Sequence, residues 1–215
     1  MRGTRNSGLL ALGGIALAAL LAVIGHLEVN DDLSPWSLTV SDFAVSDRGG
    51  VIDTAMLVLA AATAVLIPAL RSTGRSPAAP PAARRKENRG RWAELLLAAW
   101  TGGLLLAAIV PTNEPGLPMD TAAYVHRYAS VVAFLALPVG GWLLATRLPG
   151  AGRRVRGLAV ASLVLAAVMV WSAYPGDRLL LGLAERLLIL TEVGLLATVA
   201  LCLVRSGSVA PRTTG

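Results

Sequence analysis

Six apolar segments, each near the length of a membrane-crossing helix, constrain the fold of this chain more than any other feature. A helix needs roughly 20 apolar residues to cross the hydrocarbon core of a bilayer. With 55% hydrophobic and 15% charged residues, the chain also has too much apolar surface for one water-soluble core. The sequence therefore predicts an all-α integral membrane protein, a six-helix transmembrane bundle. The predicted spans are about 8–26, 50–70, 92–110, 121–146, 157–174 and 182–204.

The basic residues are distributed unevenly between the two sides of this bundle. The loops and termini of one side hold 15 of the 19 basic residues, and most of the acidic residues lie on the other. The positive-inside rule places the basic side in the cytoplasm, so both termini are predicted to be cytoplasmic (N-in/C-in). The abundance of alanine, leucine and arginine favours a bacterial plasma membrane. We treat 1–215 as a single transmembrane domain whose first span is retained, although a basic start before an apolar run also fits a signal peptide.

Two loops differ in character from the spans. Segment 71–91 is rich in proline, alanine and arginine and has no apolar periodicity. It is predicted to be a cytoplasmic linker without regular structure, with its basic run resting on anionic lipid. Segment 33–47 alternates apolar and small polar residues, so Trp36 and Phe43 are predicted either to lie on the bilayer surface or to cap the bundle.

Three blocks carry a resemblance to a known family. They are SPWSLTVSDFAVSDRGG after the first span, PTNEPGLPMDTAAYVHRYAS before the fourth, and GLAERLLILTEVGLLATVALCL in the sixth. In kind and order they resemble an uncharacterised bacterial family of six-span membrane proteins, filed as domain of unknown function 998. The likeness covers nearly the whole chain apart from the linker and the tail. It implies the fold and carries over no activity.

Two histidines raise the alternative of a membrane enzyme or redox protein. His26 ends the first span and His126 opens the fourth, so the pair could supply axial ligands to a b-type haem. A zinc site would need further ligands such as Asp120 or Glu28. However, membrane cytochromes place histidine pairs deeper in their spans, and no nucleophile-elbow or P-loop pattern occurs. We therefore predict no cofactor, no metal site and no catalytic residue. Nothing indicates nucleic-acid binding.

Charged residues of the outer half support the leading hypothesis. Glu185 and Glu192 are seven residues apart on the sixth span, so they share a face, and Glu192 lies about 10 Å deeper. A carboxylate at that depth must face the bundle and find a partner, for which we predict Arg127. The alternative is a set of structural ion pairs, with Asp120 as a helix N-cap. The predicted ligand-binding residues are Asp53, Asp120, His126, Arg127, Glu185, Arg186 and Glu192.

The function that follows is a multi-pass membrane protein with an outward-facing polar pocket. It would be transporter-like, or would interact with a lipid headgroup or a small polar ligand, in contact with membrane lipids. Two alternatives stay open: an enzyme or haem/metal redox protein using the two histidines, and a scaffold or accessory subunit of a membrane-protein complex. Small residues are predicted to let helices approach closely. They are Gly13, Gly14, Gly102, Gly103, Gly140 and Gly141.

Overall fold

The computed structural model describes residues 2–27, 34–45, 49–74, 81–114, 117–148 and 150–206. Throughout these residues the regular structure is helical. The helices are α1 (Arg2–Leu27), α2 (Val40–Ala44), α3 (Gly49–Gly74), α4 (Pro81–Ile109), α5 (Thr121–Leu144), α6 (Gly152–Ala173) and α7 (Leu181–Ser206), with a 3-10 turn at Ala145–Arg147. Within the described chain, six helices, all except α2, are long and apolar enough to cross a membrane. The predicted all-α, six-span fold is therefore confirmed.

The six long helices pack in chain order into a closed ring. Each contacts the next one along the chain, and α7 returns to contact α1. Helix α7 also touches α3 and α5, so it lies nearer the middle than a simple ring would place it. The core is built from leucine and alanine side chains, with Leu66, Leu137 and Leu196 fully buried at its centre.

Successive long helices run in opposite directions, so their termini gather at two ends of the bundle. The end formed by the start of α1, α4 and α6 and the finish of α3, α5 and α7 is called the basic end. The opposite end, which α2 covers, is called the acidic end. That the basic end faces the cytoplasm stays a prediction.

Regular helix extends into segment 71–91 from both sides. Helix α3 continues to Gly74 and α4 begins at Pro81, so the predicted lack of regular structure is wrong for these parts; residues 75–80 lie outside the described chain. Alanine, arginine, lysine and glutamate favour helix, and proline fits the first helical turn. Extending a helix that already exists also avoids the cost of nucleation.

Of the six glycines predicted to allow close helix approach, four face a neighbouring helix: Gly14, Gly103, Gly140 and Gly141. A Cβ atom built at Gly103 would lie 2.7 Å from the carbonyl oxygen of Ala129 on α5. Nothing lies within 4 Å of a Cβ at Gly13 or Gly102, so the prediction of close approach is wrong for those two. Consecutive helical residues point about 100° apart, so one member of a pair can face a partner while the other faces outward.

Candidate functional site

The loop between α1 and α3 folds over the acidic end and caps the bundle. Helix α2 begins with a capping box, in which Thr39 Oγ1 accepts from the Asp42 amide at 3.2 Å and Asp42 Oδ2 accepts from the Thr39 amide at 2.7 Å. The Phe43 side chain is buried, and α2 contacts α1, α3 and α7. Of the two positions predicted for this loop, the structure therefore shows the cap.

The same loop supplies acceptors for the first amides of α7. The amides of Gly182 and Leu183 donate to the carbonyl oxygen of Trp36, at 3.0 and 3.3 Å. The approach is so close that a Cβ at Gly182 would lie 2.5 Å from the carbonyl oxygen of Pro35. The first turn of a helix leaves its amides without intrahelical partners, and here a loop about 145 residues earlier satisfies two of them.

Glu185 is held beneath this cap. It is 5% exposed, and its Oε2 accepts a hydrogen bond of 2.5 Å from the amide of Val40 at the start of α2. Two residues further on, Asp42 Oδ2 lies 3.2 Å from Nη2 of Arg178, which belongs to the loop that precedes α7. The cap is thus tied to the start of α7 through one buried carboxylate and one more exposed ion pair.

Arg186, the next residue of α7, also binds the cap. Its Nη1 donates to the carbonyl oxygens of Pro35, Leu38 and Gly182, at 2.9, 2.8 and 3.0 Å. Its guanidinium carbon lies 4.8 Å from the centroid of the Phe43 ring, within cation–π range. The Nη2 atom is buried and has no hydrogen-bond partner among the described residues. Arg186 therefore mainly links the loop to α7 through hydrogen bonds and a cation–π contact.

Both histidines are hydrogen-bonded to backbone carbonyls near their helix ends. His26 Nδ1 lies 2.7 Å from Ala22 O, and His126 Nδ1 lies 2.9 Å from Val110 O. The His26 ring also stacks on Phe43, with centroids 5.1 Å apart. In the described ranges, no group of three or more His, Cys, Asp or Glu residues is placed to hold a metal ion. One ring nitrogen of each histidine is therefore paired with backbone, whereas His26 Nε2 is buried and has no hydrogen-bond partner among the described residues.

Three of the predicted site residues have other surroundings. Asp120 is the N-cap of α5, because its Oδ1 accepts from the Ala123 amide at 2.8 Å. Arg127 is exposed on the same helix. Asp53, half-buried on α3, interacts electrostatically with His126. The predicted residues therefore do not form one cluster.

Glu192 lies deepest and is the most isolated of the predicted residues. Its side chain is 3% exposed, as predicted for a residue that faces the interior. Its Oε2 lies 3.5 Å from Trp100 Nε1 on α4, and Oε1 has no partner among the described residues. The predicted ion pair with Arg127 is wrong, since the arginine points outward, where its long side chain can reach water.

Sequence reasoning missed Trp100 and the capping role of Asp42. Trp100 is 2% exposed and falls near the middle of the membrane-crossing part of α4, Asn88–Ile109, whereas tryptophan in membrane proteins concentrates at the interfaces. A tryptophan at that position predicts a buried hydrogen-bond acceptor for its indole N–H group. The spacing of Thr39 and Asp42 was likewise a readable capping box.

Six membrane-length helices closed into a ring define a multi-pass membrane protein. Over residues 12–202 the sequence matches the family described as Protein of unknown function (DUF998), and the chain belongs to that family. The resemblance carried by the three sequence blocks is thereby confirmed. A search of curated proteins and a search of solved structures found no match.

Proposed function

We propose that this protein is a transporter-like membrane protein that binds a small ligand through Glu192. The ligand carries a positive charge or a hydrogen-bond donor, or is a proton. One observation supports this proposal above all: a carboxyl group in the centre of the bundle has one oxygen without a partner.

The depth of Glu192 gives that observation its weight. Glu192 is eleven residues from the start of α7, which places it about 16 Å along the helix axis from the acidic end. The hydrocarbon core of a bilayer is about 30 Å thick, so Glu192 lies near its middle. Trp100 is also near the middle of the membrane-crossing part of its helix, Asn88–Ile109, which agrees with this depth.

A carboxyl group at that depth needs a compensating partner. An isolated buried charge costs several kcal/mol, and intramembrane carboxylates normally face a partner or a transport path. A carboxylate can accept about four hydrogen bonds, and a single indole N–H at 3.5 Å supplies only one of them. Glu192 therefore holds either a proton or a ligand that supplies the missing donor or charge.

The route of access that fits best leads from the acidic end along α7. Glu185 lies two turns before Glu192 on the same face, and the fully buried Leu188 lies between them. The cap formed by residues 34–45 closes this route through Val40. In the proposal, displacement of the cap and of Leu188 opens the route, and the ligand enters from the outer side.

The test replaces Glu192 by glutamine, which keeps the size of the side chain and its contact with Trp100. We expect E192Q to fold like the wild type and to lose the small molecule that co-purifies with the wild type in native mass spectrometry. If the ligand is a proton, the infrared band of a buried protonated carboxyl group should be present in the wild type and absent in E192Q.

Glu114→Gln is the matched control, because it makes the same chemical change at an exposed residue of the loop before α5. E114Q should behave as the wild type in both measurements. Equal spectra of wild type and E192Q, together with no bound molecule in either, would show that Glu192 has a purely structural role.

We also propose that the basic end faces the cytoplasm of a bacterial cell, in the plasma membrane. The division of the basic residues supports this orientation. Topology reporters fused at residue 215 and inserted in 34–39 should give opposite signals, and a reporter in 75–80 should match the one at 215. A cytoplasmic signal from 34–39 would reverse the proposed orientation.

A further inference from the structure

The face of α7 that carries Glu192 differs in polarity on the two sides of that residue. Toward the acidic end, Glu185 lies two turns away on the same face, with the fully buried Leu188 between the two carboxyl groups. Toward the basic end, the same face presents Leu195 and Val199, which are both buried. On this face of α7, Glu192 therefore has a polar neighbour in the direction of the cap and apolar neighbours in the other direction.

The packing on the basic side of Glu192 is close. A Cβ atom built at Gly141 of α5 would lie 2.6 and 3.0 Å from the two methyl carbons of Leu195, so Leu195 fills the space that a side chain at Gly141 would need. Leu196 is fully buried in the same part of the core. Interiors packed in this way have few voids larger than a water molecule. Packed apolar side chains therefore close the way from Glu192 toward the basic end.

In the six spans, all of which lie within the described chain, no second charged side chain lies at the depth of Glu192. The other charged side chains and the histidines of these spans lie within about two turns of a span end. On the elements that pack against α7 they are Arg5, His26, Asp53, Arg71, His126, Arg127, Arg147, Arg153, Arg154 and Arg156, together with Asp42 on α2. No other helix therefore brings a cation to Glu192.

The groups around Glu192 favour a proton over a metal ion or an organic cation. Trp100 Nε1–H, at 3.5 Å from Oε2, is a hydrogen-bond donor and cannot ligate a cation. Hard metal ions take about six to eight oxygen ligands, which leucine and indole side chains do not supply. An organic cation would have to displace buried leucines. A proton needs neither room nor further ligands, and it removes the buried charge.

We infer that the ligand of Glu192 is a proton and that Glu185 delivers it from the outer side. This inference rests on the function proposed above, in which displacement of the cap opens a route along α7. The two carboxyl groups are separated by about 10 Å along the helix axis, so transfer needs bridging water in the space that Leu188 vacates. The O–H bond of Glu185 breaks, the proton passes through the water, and an O–H bond forms on Glu192. The Glu185 carboxylate then regains a proton from the outer solution.

The contact of Glu185 with the cap suits this role. Glu185 is buried while its Oε2 accepts a hydrogen bond from the amide of Val40. Displacement of the cap breaks this hydrogen bond and brings the carboxyl group into contact with the outer solution. When the cap returns, Glu185 is again enclosed with the interior of the bundle on its other side. The same carboxyl group thus faces the outer solution in one state and Glu192 in the other.

The experiment follows the infrared carbonyl band of protonated Glu192 after the full-length protein, in lipid nanodiscs, is transferred from H2O to D2O. The band is assigned by its loss in E192Q. In E185Q we expect this band to remain and its deuterium exchange to become roughly 100-fold slower, within the range that a positioned acid–base side chain supplies. Glutamine keeps an acceptor for the Val40 amide, so the cap stays attached. E185D restores a carboxyl group and should recover part of the rate.

Two comparisons separate proton delivery from a purely structural role of Glu185. If Glu185 only held the cap in place, E185Q would loosen the cap and speed the exchange, which is the opposite of the expected change. Leu188→Ala should speed the exchange, because it opens the route between the carboxyl groups. Leu195→Ala makes the same change on the basic side of Glu192 and should leave the exchange rate unchanged, as should E114Q.

The possible failures are distinguishable. Exchange in E185Q at the wild-type rate or faster, with the Glu192 band still present, would overturn delivery by Glu185. A small molecule that co-purifies with the wild type and is lost in E192Q would overturn the proton as the ligand but would leave the proposed function intact. Equal acceleration in L188A and L195A would contradict access from the acidic end. Equal spectra of the wild type and E192Q, with no bound molecule in either, would overturn the proposed function itself.

Discussion

Replacing Arg186 by methionine should lower the free energy of unfolding by roughly 3–5 kcal/mol. The change removes the donor to three carbonyl oxygens and the cation over the Phe43 ring. It also removes the neighbouring positive charge from Glu185, whose carboxylate is buried. Methionine fills much of the same volume, so the loss reports polar contacts more than packing. Unfolding in mixed micelles, followed by tryptophan fluorescence, measures it.

Arg178→Gln is the natural comparison, because Arg178 also bridges the cap and α7 but lies at the surface. An exposed ion pair contributes about 0–1 kcal/mol, so R178Q should unfold close to the wild type. Arg186→Lys should recover part of the stability, since an ammonium group keeps the charge but loses the planar fork. Equal stability of R186M and the wild type would show that the contacts of Arg186 with the cap contribute nothing to the free energy of unfolding.

Gly103→Ala should lower the free energy of unfolding by roughly 1–3 kcal/mol, the usual cost of overpacking a tight contact. The added methyl group would lie 2.7 Å from the backbone oxygen of Ala129 and 3.2 Å from the amide nitrogen of Ala133. Because both obstacles are backbone atoms, no side-chain rotation can relieve the clash. Helices α4 and α5 would have to separate, and unfolding in mixed micelles measures the loss.

Gly102→Ala makes the same chemical change one residue earlier, where no atom lies within 4 Å of the new methyl group. Alanine favours helix over glycine by about 0.5–1 kcal/mol, so G102A should equal or slightly exceed the wild type in stability. Equal losses in G102A and G103A would contradict the α4–α5 packing described above.

The parts of the molecule that sequence predicted well depend on local patterns. The lengths of the apolar segments are enough to predict six spans, because any helix that crosses the bilayer needs roughly 20 apolar residues. The N-cap role of Asp120 follows from one residue type at one helix start. The interior position of Glu192 follows from the cost of a carboxyl group facing lipid.

The parts that sequence did not predict depend on which helix faces which. Arg127 and Glu192 have suitable charges and depths, but the rotation of α5 about its axis directs the arginine outward. No spacing within one helix reports that rotation, because it is set by packing against α4 and α6. The backbone acceptors of the cap, such as Trp36 O, are also invisible in sequence, since every residue type carries the same carbonyl.

Closure of the ring by α1 and α7 sets the order in which the molecule can be completed. During synthesis α1 and the cap loop emerge before α7. Until then the face of α1 around Gly8, which packs against Ala200, borders lipid or another protein. The carbonyl oxygens of Pro35, Trp36 and Leu38 also lack the hydrogen bonds that they later accept from the amides and the guanidinium group of α7. The contacts of α7 with α1 and with the cap loop therefore form in one late step of biogenesis. A ribosome paused before residue 181 would prevent these contacts from forming.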